Sequence, residues 1–436
     1  MPRWPDPLSR SAALYSRALN VLPGGISRTL PWQTPFPVYA ATGYGAYMTD
    51  ADGTRRLDLL NNFASLLHGH AFPPMVEAVT AQVAKGTAFT NPTETEIALA
   101  EAITARAPSL EQVRFCNSGS EAVMSAMKAA RALTGRPKIV KAEGVYHGLY
   151  DFAEVSLDSN PENWGNDPSS VPYAKGTPKG VTENVVVIPY NNTAAAERII
   201  RANAAEIAGV ILDPAPSYFG FVPLAPEFLA MVRRVTREIG ALLILDEVIT
   251  FRCSVGGAQD LLGIDPDLTT LAKIIGGGFP VGAVAGRKDV MGVYDHRQGK
   301  PLLPWSGTFT ANPISMTAGK VTLDHYGEAQ VQHLNRLGER LRTGVAKAFG
   351  KTSFPGQIIG FTSLFGIFGH RRPISDHRSA YSSRQELGHV EKLQEALVRE
   401  GYLIATSGKG FLSTPMTDDD VDGFVLAVEE ICRKGW

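Results

Sequence analysis

ALLILDEVIT, residues 241–250, opens with apolar residues that do not alternate with polar ones and then ends abruptly in two acids, Asp246 and Glu247. A strand covered by helices on both faces reads this way, whereas a half-exposed strand alternates. Six further runs share the pattern: QVRFC (112–116), KIVKA (138–142), VVVIP (185–189), GVILD (209–213), LTTLA (268–272) and GAVAG (282–286). Helical stretches separate most of them. Strands alternating with helices over roughly 200 residues predict an α/β fold with a mostly parallel central sheet and helices on both faces. In such sheets ligands sit beyond the carboxyl ends of the strands. That rule directs attention to whatever follows each run.

The remainder of the chain frames this core. At 436 residues it is long for a single hydrophobic core, so two or more domains are expected. We read residues 61–315 as a large domain. Residues 1–60 and 316–436 then combine into a smaller α/β domain. Within the first segment a helix over Ser9–Val21 stops at Pro23–Gly25, and Asp52-Gly53 marks a hairpin. A further helix opens at the proline pair Pro73-Pro74. The net charge of −1 gives no indication of a nucleic-acid partner. No apolar run is of membrane-spanning length, so no membrane partner is expected either. The amino terminus lacks the apolar core of a secretory signal. Cys116, Cys253 and Cys432 suggest no disulfide framework. A cytoplasmic location is the expectation. His68, His70 and His147 form no metal-ligand pattern, and no metal is expected.

Four strand ends carry chemistry. FCNSGSEA puts Ser118, Gly119 and Ser120 at the start of a helix, where free N–H groups and the helix dipole favour an anion. An ordinary serine N-cap reads the same way. Asp246 could bind Mg²⁺, hold a proton on a ring nitrogen, or cap a helix. Lys273 follows LTTLA and precedes three glycines, 276–278, that would give the backbone room beside a ligand. A lysine at a buried strand end is costly unless paired or neutral, and a neutral amine can attack a carbonyl. The bland alternative is a lysine whose stem is buried and whose head reaches water. Tyr146 and His147 follow KIVKA, and a flat ring there could stack on an aromatic ligand or pack at the core edge. One ligand uses all four features through its phosphate, pyridine nitrogen, aldehyde and flat face. It is pyridoxal 5'-phosphate.

NSGSEA, YHG, LLILDEVIT, LTTLAKIIGGGFPVGA and SGTFTANPISMTAG together resemble the motif set of the class III (fold type I) aminotransferases, over nearly the whole chain. The resemblance is greatest to β-amino-acid transaminases and glutamate-1-semialdehyde aminomutases. It implies that Lys273 is the Schiff-base lysine and proton shuttle, and that Asp246 is the partner of the pyridine nitrogen. Val248 packs behind the ring, Tyr146 stacks on it, and Ser118, Gly119 and Ser120 form the phosphate cup. Thr308 reaches the phosphate of a neighbouring subunit, which implies a homodimer with shared active sites. The implied reaction is ping-pong: a donor gives its amino group to the cofactor, and a keto acid then takes it.

Substrate residues separate the two relatives. Arg28 lies where both have an arginine near the substrate carboxylate, and a planar fork suits that job. LDPAPSYFGF replaces the mutase-like Glu-Pro-x-x-Gly-Asn pattern, with Asp213 for the glutamate and Tyr218 for the asparagine. DEVITFRCS is one residue shorter than the mutase form. ATSGKGFLS is shortened where mutases are acidic, and Lys409 falls where β-amino-acid enzymes have an arginine for the keto-acid carboxylate. Trp32, Phe89, Tyr218 and Phe219 could line an aromatic pocket. The Pro-, Asn- and Gly-rich stretch from Asp158 to Gly180 is a loop of functional length, fit for a lid or a dimer element. The leading expectation is a transaminase for β-amino acids or related amines. The alternatives are a glutamate-1-semialdehyde 2,1-aminomutase and a non-catalytic paralogue, the latter opposed by the intact Lys273.

Overall fold

The computed structural model describes residues 3–29, 32–297 and 299–435. The chain divides into two compact units. One comprises Met1–Pro73, Gln332–Pro373 and Ser382–Trp436, and the other Pro74–Val331 with Ile374–Tyr381. These divisions fall at 73 and 331, against the 60 and 315 read from the sequence. At the second boundary the reason is packing, since the helix Pro313–Asp324 lies against Glu94–Thr104 and the Lys273–Gly276 turn and so stays with the larger unit.

The larger unit is built on a seven-stranded sheet. Its strands are β1 (Gln112–Cys116), β2 (Lys138–Ala142), β3 (Val185–Ile188), β4 (Ile207–Leu212), β5 (Leu242–Asp246), β6 (Leu268–Ala272) and β7 (Gly282–Gly286). All seven apolar runs are strands. Their spatial order is β1-β7-β6-β5-β4-β2-β3. The β2–β3, β2–β4, β4–β5 and β5–β6 pairs are parallel. Strand β7 runs antiparallel to both β1 and β6. The cause is the short connection: only residues 273–281 join β6 to β7, and a parallel return needs about a dozen residues or more. Reversal places the first residue of β7, Gly282, beside both Ala272 and Cys116, at the carboxyl ends of its neighbours.

Helix α1 (Gly119–Thr134) links β1 to β2, and α2 (Pro226–Ile239) links β4 to β5. Small side chains on the buried face of α1, among them Ala122, Ala126, Ala129 and Ala130, let it lie close to the strands. They share one core with Ile139, Ile211 and Ile244 of the sheet.

The other unit contains a four-stranded sheet. Ala40–Tyr44, Tyr47–Asp50 and Arg55–Asp58 form its antiparallel part, and Tyr402–Leu403 adds in parallel. The Asp52-Gly53 turn closes the expected hairpin. Gln357–Phe361, Leu364–Phe368 and Lys409–Phe411 form a three-stranded sheet. The first helix is Arg10–Ala18, capped by Ser9, and is shorter than the sequence reading. Arg56 and Asp50 form a fully buried ion pair at 2.8 Å. Among the described residues no helix is long and apolar enough to cross a membrane.

Candidate active site

Five parallel strand ends converge on one cavity of about 240 Å³. Asn117, Gly119 and Ser120 reach it after β1, Tyr146 and His147 after β2, and Asp213 and Ser217 after β4. Asp246 and Val248 come from the end of β5, and Ala272 and Lys273 from the end of β6. Sheet topology thus gathers residues of NSGSEA, YHG, LLILDEVIT and LTTLAKIIGGGFPVGA at one cavity.

The start of α1 serves two purposes. Ser118 is its N-cap, and its Oγ accepts the Glu121 N–H at 3.2 Å, while Glu121 Oε2 accepts the Asn117 N–H at 2.6 Å. The capping reading of Ser118 is therefore correct. It leaves the first-turn N–H groups of the cavity-lining Gly119 and Ser120 without intrahelical acceptors. Ser120 Oγ accepts the Leu149 N–H at 3.0 Å and also hydrogen-bonds Tyr146.

Asp246 is 5% exposed. Its Oδ2 lies 2.7 Å from His147 Nδ1, and its Oδ1 accepts from the Val248 N–H and Thr270 Oγ1, each at 3.1 Å. The β5–β6 register sets Thr270 beside Asp246. A carboxylate only accepts, so His147 carries its proton on Nδ1. Burial pushes the His147 pKa down, against the pull of Asp246, and favours the neutral ring. Glu247 points elsewhere, accepting the Ala258 N–H at 2.6 Å and the Gln259 N–H at 2.9 Å. It is the helix-capping acid of the pair.

Lys273 keeps some solvent contact through the cavity, yet its amine lies deep enough that desolvation lowers its pKa, while Asp246 and Asp213 pull it upward. Its φ of 51° is left-handed, a conformation costly for a non-glycine residue and most often kept at functional sites. Burial and the nearby Asp246 raise the Asp213 carboxyl well above its usual range. Gly276 and Gly277 do not make room for a ligand. A Cβ on Gly276 would lie 2.4 Å from Val281 Cγ1, and one on Gly277 would lie 2.3 Å from Met75 Cε. They admit protein, not substrate.

The model of the family described as aminotransferase class-III matches residues 30–417. The chain belongs to the class-III aminotransferases. An omega-transaminase structure from Sphaerobacter thermophilus is 49% identical, with 98% of this chain and 97% of that chain covered and a TM-score of 0.95. A β-phenylalanine aminotransferase from Variovorax paradoxus is 32% identical, with 96% and 93% covered and a TM-score of 0.86. A glutamate-1-semialdehyde 2,1-aminomutase from Chloroflexus aurantiacus is 40% identical over 97% of this chain and 96% of its own length.

As a class-III aminotransferase the chain is an enzyme that depends on pyridoxal phosphate, and the donor set fits that cofactor. A carboxylate offers about four acceptor positions. Three of those on Asp246 are filled by His147, Val248 and Thr270, so one remains for a pyridinium N–H. The free helix N–H groups suit a phosphate, and the amine of Lys273 suits an aldehyde. Among the described residues no three His, Cys, Asp or Glu side chains gather as a metal cluster. The cradle is tight at Gly119, where a Cβ would lie 3.2 Å from both γ-carbons of Val248. Gly119→Val is expected to weaken pyridoxal phosphate binding about tenfold or more, the order of an overpacking cost of 1–3 kcal/mol. A cofactor titration followed by fluorescence quenching checks it, and unchanged affinity would remove Gly119 from the cup.

The other sequence-derived residues are more dispersed. Tyr146 stacks on Tyr218 with ring centroids 5.9 Å apart and planes 12° apart. Thr308 does not line this cavity. It lies with Phe89 in a second one of about 180 Å³. Phe219 is fully buried against Tyr190 and belongs to the core. Trp32, packed on Tyr15, and Arg28 and Lys409 lie in the other unit. The four aromatic residues therefore do not share one pocket in the larger unit. Sequence reading overlooked the links from His147 and Thr270 to Asp246. The available signals were a histidine directly after Tyr146 and two threonines inside the apolar run LTTLA.

Proposed function

We propose that this class-III aminotransferase is a transaminase that moves an amino group from a β-amino acid or related amine to a keto acid by a ping-pong mechanism. The observation that carries the reading is Tyr218. Where the mutase-like pattern has an asparagine, this chain places a ring that lies flat on Tyr146, each about two-fifths exposed. Such a surface suits an aryl-bearing amine. Near-full-length likeness to an omega-transaminase supports it.

Bound in the cavity, pyridoxal phosphate supplies an aldehyde carbon to take the amino group and a ring that withdraws electrons. Gly119 and Ser120, with Ser118 capping their helix, bind the phosphate. Val248 and Tyr146 confine the ring. Asp246 would hold the proton on the ring nitrogen, and His147 and Thr270 orient that carboxylate. Lys273 Nζ would hold the aldehyde and, when free, would accept or return the proton at the substrate carbon.

Arg28, Lys409, Trp32 and Tyr218 bind the substrates. Arg28 Nη1 donates to Asn62 Oδ1 at 2.8 Å. Asn62 sits in a left-handed turn, Asn61–Ala64, with φ of 47°, 48°, 55° and 73°. Each such residue costs about 1–2 kcal/mol, so the turn persists only because its surroundings hold it. Asn61 Nδ2 donates to the carbonyl of Phe411 in the Lys409–Phe411 strand at 2.8 Å. One strained turn thus braces both the arginine and the strand that carries the lysine. Thr308 serves the phosphate of a partner in a cytoplasmic homodimer. Exposed Phe89 and Phe309 around it support an interface there.

The aminomutase reading is favoured by the names of curated relatives. Visible absorbance decides between the two. Adding β-phenylalanine to the cofactor-loaded protein is expected to bleach the yellow band as pyridoxamine absorbance rises. A response to glutamate-1-semialdehyde alone, with isomerisation needing no acceptor, would replace the transaminase reading.

A further inference from the structure

The turn that follows β2 begins with Glu143 and carries Tyr146 and His147. Glu143 is buried, with its side chain 2% exposed. A carboxylate so placed needs a partner, and the partner comes from far along the chain. Arg378 lies in the short segment Ile374–Tyr381, which belongs to the larger unit although residues on both sides of it belong to the other. A capping box between Asp376 and Ser379 fixes this segment, which packs against the Ser217–Phe219 turn that bears Tyr218.

A guanidinium has five N–H donors. All five are used. Nε donates to Glu143 Oε2 at 2.7 Å and Nη2 to Glu143 Oε1 at 3.3 Å. Nη2 also donates to the Trp164 carbonyl at 3.0 Å, and Nη1 to the carbonyls of Gly165 at 2.9 Å and Asn166 at 3.1 Å. The guanidinium also lies over the Trp164 ring, 5.0 Å from its centroid. Ser159 Oγ donates to Glu143 Oε1 at 3.1 Å, and His377 Nε2 donates to the Ser159 carbonyl at 2.8 Å. One side chain therefore holds a buried carboxylate on the cavity turn and three carbonyls of the 158–180 loop. Arginine's planar fork allows this, whereas an ammonium has only three donors.

We propose that Arg378 is a positioning residue that couples the 158–180 loop to the turn bearing Tyr146 and His147, so that ordering the loop sets the wall of the cofactor cavity. The inference rests on the reading that Tyr146 and His147 serve the cofactor.

Two variants separate its halves. Arg378→Met removes every polar contact. Arg378→Lys keeps a cation for Glu143 and gives up most of the loop carbonyls. Hydrogen exchange on the cofactor-free proteins is expected to quicken in both 143–148 and 158–180 for R378M, and mainly in 158–180 for R378K. After loading, R378M is expected to bind pyridoxal phosphate about tenfold more weakly, the order of a lost charged hydrogen bond. Its visible circular dichroism should shrink, reporting a ring less firmly held. R378K should recover both cofactor readouts. Should R378M fail to fold, R378K still decides, because equal exchange in its loop and in the wild-type loop contradicts the clamp. A folded R378M with a loosened loop but unchanged cofactor affinity and dichroism would overturn the coupling. If the wild-type chain binds no pyridoxal phosphate, the functional reading falls, and correlated exchange of the two segments still tests the clamp.

Discussion

Lys273→Ala is expected to abolish amino-group transfer, with the rate of the donor half-reaction falling by at least about 10³, within the range of lost general acid–base catalysis and compounded by the lost nucleophile. The reasoning begins with the environment of the amine. Desolvation lowers its pKa, which favours the neutral form that can attack a carbonyl and accept a proton. Asp246 and Asp213 oppose that shift. The left-handed backbone at 273 aims this one side chain from the end of β6 into the cavity, which it lines. Alanine removes the nucleophile and the base but leaves Gly119, Ser120 and Asp246 in place. The variant should therefore still bind pyridoxal phosphate, without the visible band of the covalently held form. Single-turnover absorbance with β-phenylalanine measures the loss, and partial recovery with added methylamine would show that the missing group is an amine. Wild-type rates in K273A would overturn the assignment.

How far such a site can be read from sequence depends on how local its causes are. Ser118–Ser120 are legible because an N-cap and a following helix are short-range features, and the structure has Ser118 capping as its neighbours suggest. Lys273 is legible because a charge directly after an apolar strand is anomalous wherever the strand lies. The direction of β7 is legible only through the length of residues 273–281, not through its composition. The support of Asp246 is less accessible. His147 lies 99 residues away in sequence and Thr270 lies 24 away, and only sheet order and register bring them together. Arg378 lies 235 residues from Glu143 and no local pattern marks it. The role of Gly277 is hidden for the same reason: the atoms that exclude a side chain there belong to Met75, Ala318 and Thr322, on helices far along the chain, whereas Gly276 is closed off by the nearby Val281. Short-range chemistry survives in the sequence, whereas orientation and close approach are set by topology.

Asp246→Ala is expected to lower the rate of amino transfer by about 10² to 10⁴ while leaving the fold intact. Removing one partner of a buried charge pair costs about 3–5 kcal/mol, which as a barrier corresponds to that range. Here the unpaired charge would be the protonated ring nitrogen of pyridoxal phosphate, which would lose its proton instead and with it much of the ring's electron-withdrawing power. His147 cannot substitute. Its pKa is depressed by burial, and with Asp246 gone it loses the interaction that opposed the depression, so it remains a neutral ring. Asp246→Asn is a sharper test. It keeps the size of the side chain and can still accept from Thr270 or His147, but its neutral amide cannot stabilise a pyridinium. The two variants should therefore be slow to a similar degree. Their cofactor affinity should fall much less than their rate, since the proposed cofactor residues Gly119, Ser120 and Lys273 are unchanged. Rate constants from single-turnover absorbance, set beside cofactor titrations, separate the two quantities. An Asp246→Asn protein that transfers amino groups within a few-fold of wild type would show that the carboxylate only orients His147 and that the ring proton is held elsewhere.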